Sequence, residues 1–338
     1  MGYEMMQVPP YVLEAYRDER TYEKSLEALQ SADVVIAGSA PKELVQLCMK
    51  RNKLLFRYSE RPLRNGVNPF TYLPRFLMWH FRNPFYRRIY LLCASAFTAG
   101  DYRKFGLFRN RAYKWGYFPE TRRYENVDRL FASKDGRQIL WVARLLKLKH
   151  PEYPIMVAKK LREEGYDFSM KLIGGGEEEE NLKQLIVQYD LSSHVELCGY
   201  MDPNTVRMHM ERAGIFLFTS DKREGWGAVL NEAMNSGCAV VSADEIGATP
   251  YLVDNGKNGF IFKSGDVEEL YEKTKFLLDS PHTQERLGRE AYRTITDLWN
   301  AGTAANRLLE LSDELLKGRK PIRIFTSGPC SPAESTKG

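Results

Sequence analysis

The chain has 338 residues, 43% hydrophobic and 28% charged, a composition that excludes wholesale disorder and suffices for two cores of ordinary domain size. The formal net charge is only +5, yet residues 51–125 hold 16 Lys and Arg against 4 Asp and Glu, so a basic region sits beside a net acidic remainder. Five cysteines without C-x-x-C spacing and five histidines without ligand spacing argue against a disulfide framework or a zinc site, and no run of about twenty apolar residues offers a membrane span.

The opening MGYEMMQVPP has neither the apolar centre of a secretory signal nor the Ser or Thr of a myristoylation signal. A helix is predicted over 21–30, then a buried strand over 32–37 ending in GSAP, a helix over 42–49 and a second strand over 54–58. In a parallel sheet ligands gather at the carboxyl ends of strands, which makes Ser39, Ser59, Glu60 and Arg61 candidates for a cleft wall on the acceptor side. Residues 68–90, NPFTYLPRFLMWHFRNPFYRRIY, are dense in aromatics and arginines. Two accounts stand side by side: a helix pair with aromatics inward and arginines solvated, or a surface for an anionic membrane or lipid acceptor, each basic residue contributing about 1 kcal/mol near the leaflet. Nucleic acid ranks third, since no RNA-binding or helix-turn-helix pattern accompanies the charges. A third strand is predicted over 91–97, a helix from about 99, and a hinge over 118–128.

From 139 the pattern turns regular. Strands at 139–143, 168–173, 194–198, 214–219, 238–242 and 259–262 are interleaved with helices at 154–164, 179–189, 203–212 and one opening near 228, which predicts a parallel sheet covered on both faces. Helices follow at 267–278, 283–295 and 304–316. The tail 317–338, rich in Pro, Gly, Ser and Lys, reads as loose.

The organising stretch is 223–242, REGWGAVLNEAMNSGCAVVS, which lies between two apolar strands. Gly225 and Gly227 let backbone approach a ligand, and the helix that follows presents unpaired N–H groups with about half a positive charge, a place for phosphate. Glu224 and Glu232 bracket this turn eight positions apart. A capped surface helix would account for acids there, but ordinary caps are Ser, Thr, Asp or Asn and do not call for two glycines around Trp226. Upstream, ARLLKLK places Arg144 and Lys149 five apart at the end of a strand, a fork and a point charge able to grip a diphosphate. The plainer account is two solvated cations in a basic loop. IGGGEEEE at 173–180 also follows a strand but fails the dinucleotide fingerprint at Glu179.

The string at 223–242 resembles the E-x7-E signature of retaining GT-B glycosyltransferases of family 4, E-G-[FW]-G-x-x-x-x-E-A-M-x-x-G-x-x-V-V, and fills nearly every slot. ARLLKLK is similar to that family's G-R-L-x-x-x-K, with Ala143 for Gly and His150 for the glycine that usually follows Lys. Gly174 belongs to a counterpart of its G-x-G loop, Tyr200 and Asp202 to the turn that lies against the nucleobase in similar enzymes, and Trp115 and Gly116 to the turn closing the first domain. The resemblance is strong over 115–316 and weak over 32–97.

It implies an α/β GT-B architecture, two Rossmann-like domains facing a cleft: an acceptor-side domain at 1–117, small or incomplete because no further strand-helix units precede Ala32, as in an N-terminally truncated member; a nucleotide-sugar domain at 118–300; a helix at 301–318 docking back; and a flexible tail at 319–338. The implied activity is retaining transfer of a sugar from a UDP- or GDP-type donor to a saccharide or glycolipid, as in surface polysaccharide synthesis, in the cytoplasm or peripherally at the inner face of the plasma membrane through the basic aromatic region 57–114. Glu224, Arg144 and Lys149 take the catalytic positions. Gly225, Trp226, Gly227, Glu232, Tyr200, Asp202 and Gly174 take the donor-binding ones, with Glu232 on the ribose hydroxyls and Glu224 on the donor sugar. A D-x-D signature is absent, and fixed cations with a helix N-terminus suffice to receive the departing charge, so neither metal nor cofactor is expected. Two departures stand out: Ser59 and Glu60 occupy positions where similar enzymes often carry His or His-Asp, and Tyr251 fills the Glu slot of G-G-x-P-E-L-[IV]. The rival reading is a nucleotide-sugar-binding subunit without transferase activity; an epimerase or phosphorylase on the same architecture comes third.

Overall fold

The computed structural model describes residues 9–15, 17–66, 73, 74, 76, 77, 88–318 and 323–333. Most of the aromatic and basic stretch 68–90 therefore lies outside the described residues, as do 319–322 and 334–338 of the tail.

The first half forms a parallel sheet in the order β1 (Val34–Ala37), β2 (Leu54–Ser59), β3 (Ile89–Cys93), β4 (Ala112–Lys114), with Val34 opposite Leu54, Leu55 opposite Ile89 and Leu91 opposite Ala112. The continuous apolar runs of β2 and β3 are buried on both faces, as a covered parallel strand demands. The expectation that the first strand is buried needs correcting: β1 is an edge, and Ile36 is 53% exposed. Helix α1 (Glu19–Ser31), held at its start by an Asp18–Thr21 capping box, buries none of its residues fully and sets Leu29 against the cluster that includes Ala37. Helix α2 (Lys42–Lys50) does cover one face, packing Val45 and Cys48 on Ala37 and Leu55. Helix α3 (Thr98–Lys104) follows β3.

The second half is larger. Its six parallel strands run β10 (Phe260–Phe262), β9 (Ala239–Ala243), β8 (Ala213–Phe218), β5 (Asp135–Val142), β6 (Ser169–Ile173), β7 (Val195–Leu197) across the sheet. Strand β5, first in sequence, lies between β6 and β8, so the chain winds away from it in both directions. Such a reversal opens a crevice beyond the carboxyl ends of the two diverging strands, the usual place for a ligand in an open α/β sheet. Helices α5 (Glu152–Glu163), α6 (Glu179–Gln188), α7 (Pro203–Arg212) and α8 (Ala228–Asn235) make the crossovers, and one apolar cluster from Ile139 to Trp299 forms the core.

Between the halves, the predicted hinge at 118–128 runs into a short helix, α4 (Val127–Ala132), started by the Asn126 side chain. Arg122 and Asn235 exchange two bonds of 2.7 and 3.0 Å, which pins this segment to the end of α8. Helices α9 (Thr249–Leu252), α10 (Val267–Asp279) and α11 (Pro281–Arg293) complete the second half. Helix α12 (Ala301–Leu316) then returns to the first sheet and buries Leu308, Leu311 and Leu315 against Leu54, Phe56 and Leu92.

The tail differs from expectation over 323–333. Residues 330–333 run antiparallel to β4: Lys114 N–H donates to Ser331 O (2.8 Å), Cys330 N–H to Lys114 O (2.8 Å), and Ala333 N–H to Ala112 O (2.9 Å), with Cys330 and Ala333 buried. A Pro- and Gly-rich composition predicts little local order, but the open edge of β4 has main-chain groups that need partners, and this segment supplies them.

Candidate active site

Two loops meet at the crevice of the second sheet. The loop after β5 carries Arg144 and a single 3-10 turn, Lys147–Lys149; the loop after β8 carries 219–227. The Lys149 ammonium pairs with the Glu224 carboxylate, their side chains only 15% and 14% exposed. Ser220 Oγ also donates to Glu224 (3.2 Å). Beneath the pair, Thr219 Oγ1 bonds to the carbonyls of Lys149 (2.7 Å) and His150 (3.1 Å) while accepting from Trp141 Nε1 (2.9 Å), and Asp221 N–H reaches Leu148 O (3.0 Å). One buried hydroxyl thus fixes the height of one loop on the other. Residues 75 positions apart in sequence meet because β5 and β8 are neighbours.

The bend itself is built from glycine. Gly227 adopts φ 90 and ψ 64 and leads directly into α8, whose first turn receives no side-chain cap and carries the positive end of the helix dipole; Leu230 N–H turns back to Gly227 O (3.0 Å). Glu232 lies in the second turn of α8, half-buried; burial raises its carboxyl above the usual range, with Arg207 and Arg122 pulling the other way. Trp226 was expected at the donor, but its indole is 1% exposed and faces the protein. Nε1 donates to Asn231 (2.9 Å), and the ring packs among Tyr117, Tyr251 and Trp299. Its carbonyl is also taken, accepting from Ala248 N–H (3.1 Å). The indole's partner is Gly116: a Cβ there would stand 2.5 Å from the indole Cη2, so the glycine of the first half makes room for the tryptophan of the second.

The glycine loop after β6 lies against the loop after β5. Gly174 has φ 140, and a Cβ on it would collide with the Ala143 carbonyl, so only glycine fits. Gly174 N–H donates to Gly199 O (2.8 Å), joining a third loop. Tyr200 is 74% exposed; its hydroxyl donates to Gly175 O (2.9 Å) and its ring lies over Gly175, leaving the rest of the ring open to solvent as a flat platform. Arg144 is exposed on the loop after β5. Asp202 is taken up otherwise: it caps α7, accepting from the N–H groups of Asn204 (3.0 Å) and Thr205 (3.1 Å), and these bonds with the Thr205 hydroxyl hold its carboxyl low.

The carboxyl ends of the first sheet face this crevice. Ala96 N–H donates to Gly247 O (2.9 Å) across the two halves. Glu60, after β2, reaches Gly225, and the Tyr117 hydroxyl donates to its Oε1, with Arg64 3.3 Å from Oε2. Burial and the bond to Glu60 both raise the Tyr117 phenol, which stays a donor. Of the other acceptor-side candidates, Ser59 and Arg61 turn their side chains to other partners or to the Glu60 backbone. Ser59 donates to Glu60 O (2.7 Å) and meets the Tyr102 hydroxyl (3.1 Å); Arg61 is tied to buried Asp101 (3.1 Å) and lies over Phe97; Ser39 is exposed beyond the edge strand. Tyr117 was missed by sequence reasoning, although its place two residues after Trp115 marked it as part of the closing turn. Among the described residues no three His, Cys, Asp or Glu are arranged to hold a metal ion.

Two parallel α/β sheets meeting at their carboxyl edges, with cations, a carboxylate and an uncapped helix start at the switch point of the second, define the GT-B class of glycosyltransferase architecture. The chain belongs to the glycosyl transferases group 1 family, whose model matches residues 123–294, just over half of it. A segment of 150 residues, 44% of the chain, is 30% identical to an uncharacterized glycosyltransferase of Haemophilus influenzae and covers 42% of that protein. Another of 141 residues, 40% of the chain, is 33% identical to the putative colanic acid biosynthesis glycosyltransferase WcaL of Escherichia coli K12 and covers 34% of it. The matches thus span less than half the length of these curated relatives. Among solved structures, Anabaena Alr3699/HepE in complex with UDP superposes with a TM-score of 0.67 over 89% of this chain and 82% of that one, at 16% identity, a likeness of fold.

Proposed function

We propose that this protein transfers a glycosyl group from a nucleotide-diphosphate sugar to a saccharide or glycolipid acceptor, with retention at the anomeric carbon and without a metal ion, in the assembly of a surface polysaccharide. The observation that carries this reading is the Lys149–Glu224 pair beside the uncapped start of α8. In the donor complex the diphosphate takes the Lys149 ammonium, the exposed Arg144 guanidinium and the first amides of α8, which together receive the charge of the leaving nucleotide. Glu224, released from Lys149, accepts hydrogen bonds from the donor sugar, Glu232 from the ribose, and Tyr200 offers its face to the base. UDP is the first donor base to test, since the Anabaena neighbour was solved with UDP; GDP is the second. The relative from Escherichia coli, named for colanic acid biosynthesis, points to a polysaccharide acceptor.

The acceptor enters on the first-sheet side of the crevice, where Glu60 closes against Gly225. No described helix is long and apolar enough to cross a membrane, and we place the protein in the cytoplasm or peripherally on an anionic inner leaflet.

The decisive experiment is titration of the purified protein with UDP- and GDP-sugars, followed by assay of slow donor hydrolysis. Binding with hydrolysis that is lost in Glu224→Ala upholds the reading. Binding without any turnover favours a nucleotide-sugar-binding subunit instead, and absence of binding removes both.

A further inference from the structure

His150 follows Lys149 directly and ends the 3-10 turn in the left-handed region, φ 49 and ψ 56, a conformation uncommon for residues that carry a Cβ. Its ring stands between two carboxylates from different elements. Nδ1 is 2.9 Å from Glu152 Oε1 at the start of α5, and Nε2 is 3.5 Å from Asp221 Oδ2 in the loop after β8. Tyr153 stacks on the ring at 4.6 Å between centroids, and Arg223 holds Asp221 from the other side (2.6 Å). The neighbouring Lys149 ammonium is turned away, toward Glu224. An acid at each nitrogen asks both to donate, and an imidazole that donates from both is the cation.

We propose that His150 is a positioning residue for the donor diphosphate: as an imidazolium it bridges Glu152 and Asp221, ties the loop after β5 to the loop after β8, and so sets where Lys149 meets the phosphates. This rests on the donor reading above. The hydrogen bond to Glu152 raises the ring's affinity for its proton, burial opposes it, and Asp221 adds to the rise. Because the folded value lies above the ordinary one of about 6.5, the bridge's contribution is complete below that pH and disappears as pH rises through the folded value.

The test compares wild type with His150→Asn, since Asn tolerates the left-handed conformation but carries no charge. Dissociation constants for UDP and GDP are measured by calorimetry from pH 5.5 to 9, and melting temperatures of the nucleotide-free proteins over the same range. The nucleotide's own titration is common to both proteins and cancels in the ratio. At pH 5.5 the variant binds about tenfold more weakly, the equivalent of one charged hydrogen bond, and the ratio falls toward one at pH 9. The gap in melting temperature closes in parallel, and His150→Gly follows Asn in both. A ratio that stays constant with pH overturns the proposal. Should wild type bind neither nucleotide at any pH, the donor reading falls, and the melting gap alone judges the bridge: closing with rising pH upholds it, a constant gap refutes it.

Discussion

The Glu60 carboxylate of the first sheet lies against Gly225 of the second, so close that a Cβ on residue 225 would stand 2.6 Å from Glu60 Cδ. The contact joins the first-sheet side of the crevice to the bend that leads into α8. A flexible side chain can yield where backbone cannot, and this separates two glycines of the same interface. Gly225→Ala meets the end of Glu60 first, so it is expected to fold with a stability loss below about 1 kcal/mol. Turnover should fall by roughly a hundredfold, as displacement of about 1 Å in a reacting site does. Gly247→Ala meets the Gly225 carbonyl group itself and Ser95 Oγ; overpacking against backbone should cost about 1–3 kcal/mol. Melting curves beside donor-hydrolysis rates distinguish the two, and equal stability losses would contradict this account.

Lys149 and Glu224 share one part-buried ion pair, and their single substitutions should not behave alike. Removing one partner leaves the other charge desolvated and unpaired, a cost of about 3–5 kcal/mol for a fully buried pair and less here because both retain some exposure. Transfer or donor hydrolysis is expected to fall by at least about a hundredfold in each, the scale of losing one charge-stabilising group. Lys149→Ala should also weaken nucleotide binding, whereas Glu224→Gln should not. The double variant Lys149→Met with Glu224→Gln should be more stable than Lys149→Met alone, because no buried charge is left. Urea denaturation of wild type, Lys149→Met, Glu224→Gln and the double variant tests the sign of that coupling.

Much of this arrangement was legible in the sequence because its signals are local. The strands of the second half are short apolar runs, the helices between them have a single apolar face, and the bend at 224–227 is spelled by adjacent residues. What escaped was set by distant partners. Trp226 sits inside a donor-like motif, yet the ring's direction is decided by Gly116, more than a hundred positions earlier, and by Trp299, much later. Arg61 ends a strand in the manner of a cleft residue, but Asp101 and Phe97 claim it. Ser331 and Cys330 read as tail until β4 is seen to need an edge partner. Helix α4 was hidden by its shortness, six residues inside a segment that periodicity could not resolve.

Trp226 tests whether that motif position binds or builds. If its indole serves packing, Trp226→Ala should lose about 3–5 kcal/mol, as removal of a large buried aromatic does. Trp226→Phe keeps most of the ring volume but orphans Asn231 Oδ1 and should lose about 1–3 kcal/mol. Nucleotide affinity of the folded Phe variant should remain within about twofold of wild type, a difference under 0.5 kcal/mol. A large affinity loss at unchanged stability would return the side chain to the donor site.

Tyr200 presents the opposite case. With the residue 74% exposed and its hydroxyl bonded to Gly175 O, Tyr200→Ala should alter stability by less than about 0.5 kcal/mol. A stacked base is worth about 1–3 kcal/mol on such a platform, so UDP affinity should fall roughly five- to a hundredfold. Tyr200→Phe retains the face while losing the hydroxyl's bond to Gly175, and its affinity should lie between the two. The ordering wild type, Phe, Ala in calorimetric affinity, with nearly coincident melting curves, identifies the tyrosine as the surface on which the base rests; equal affinities for all three would place the base elsewhere along the loops after β5 and β6.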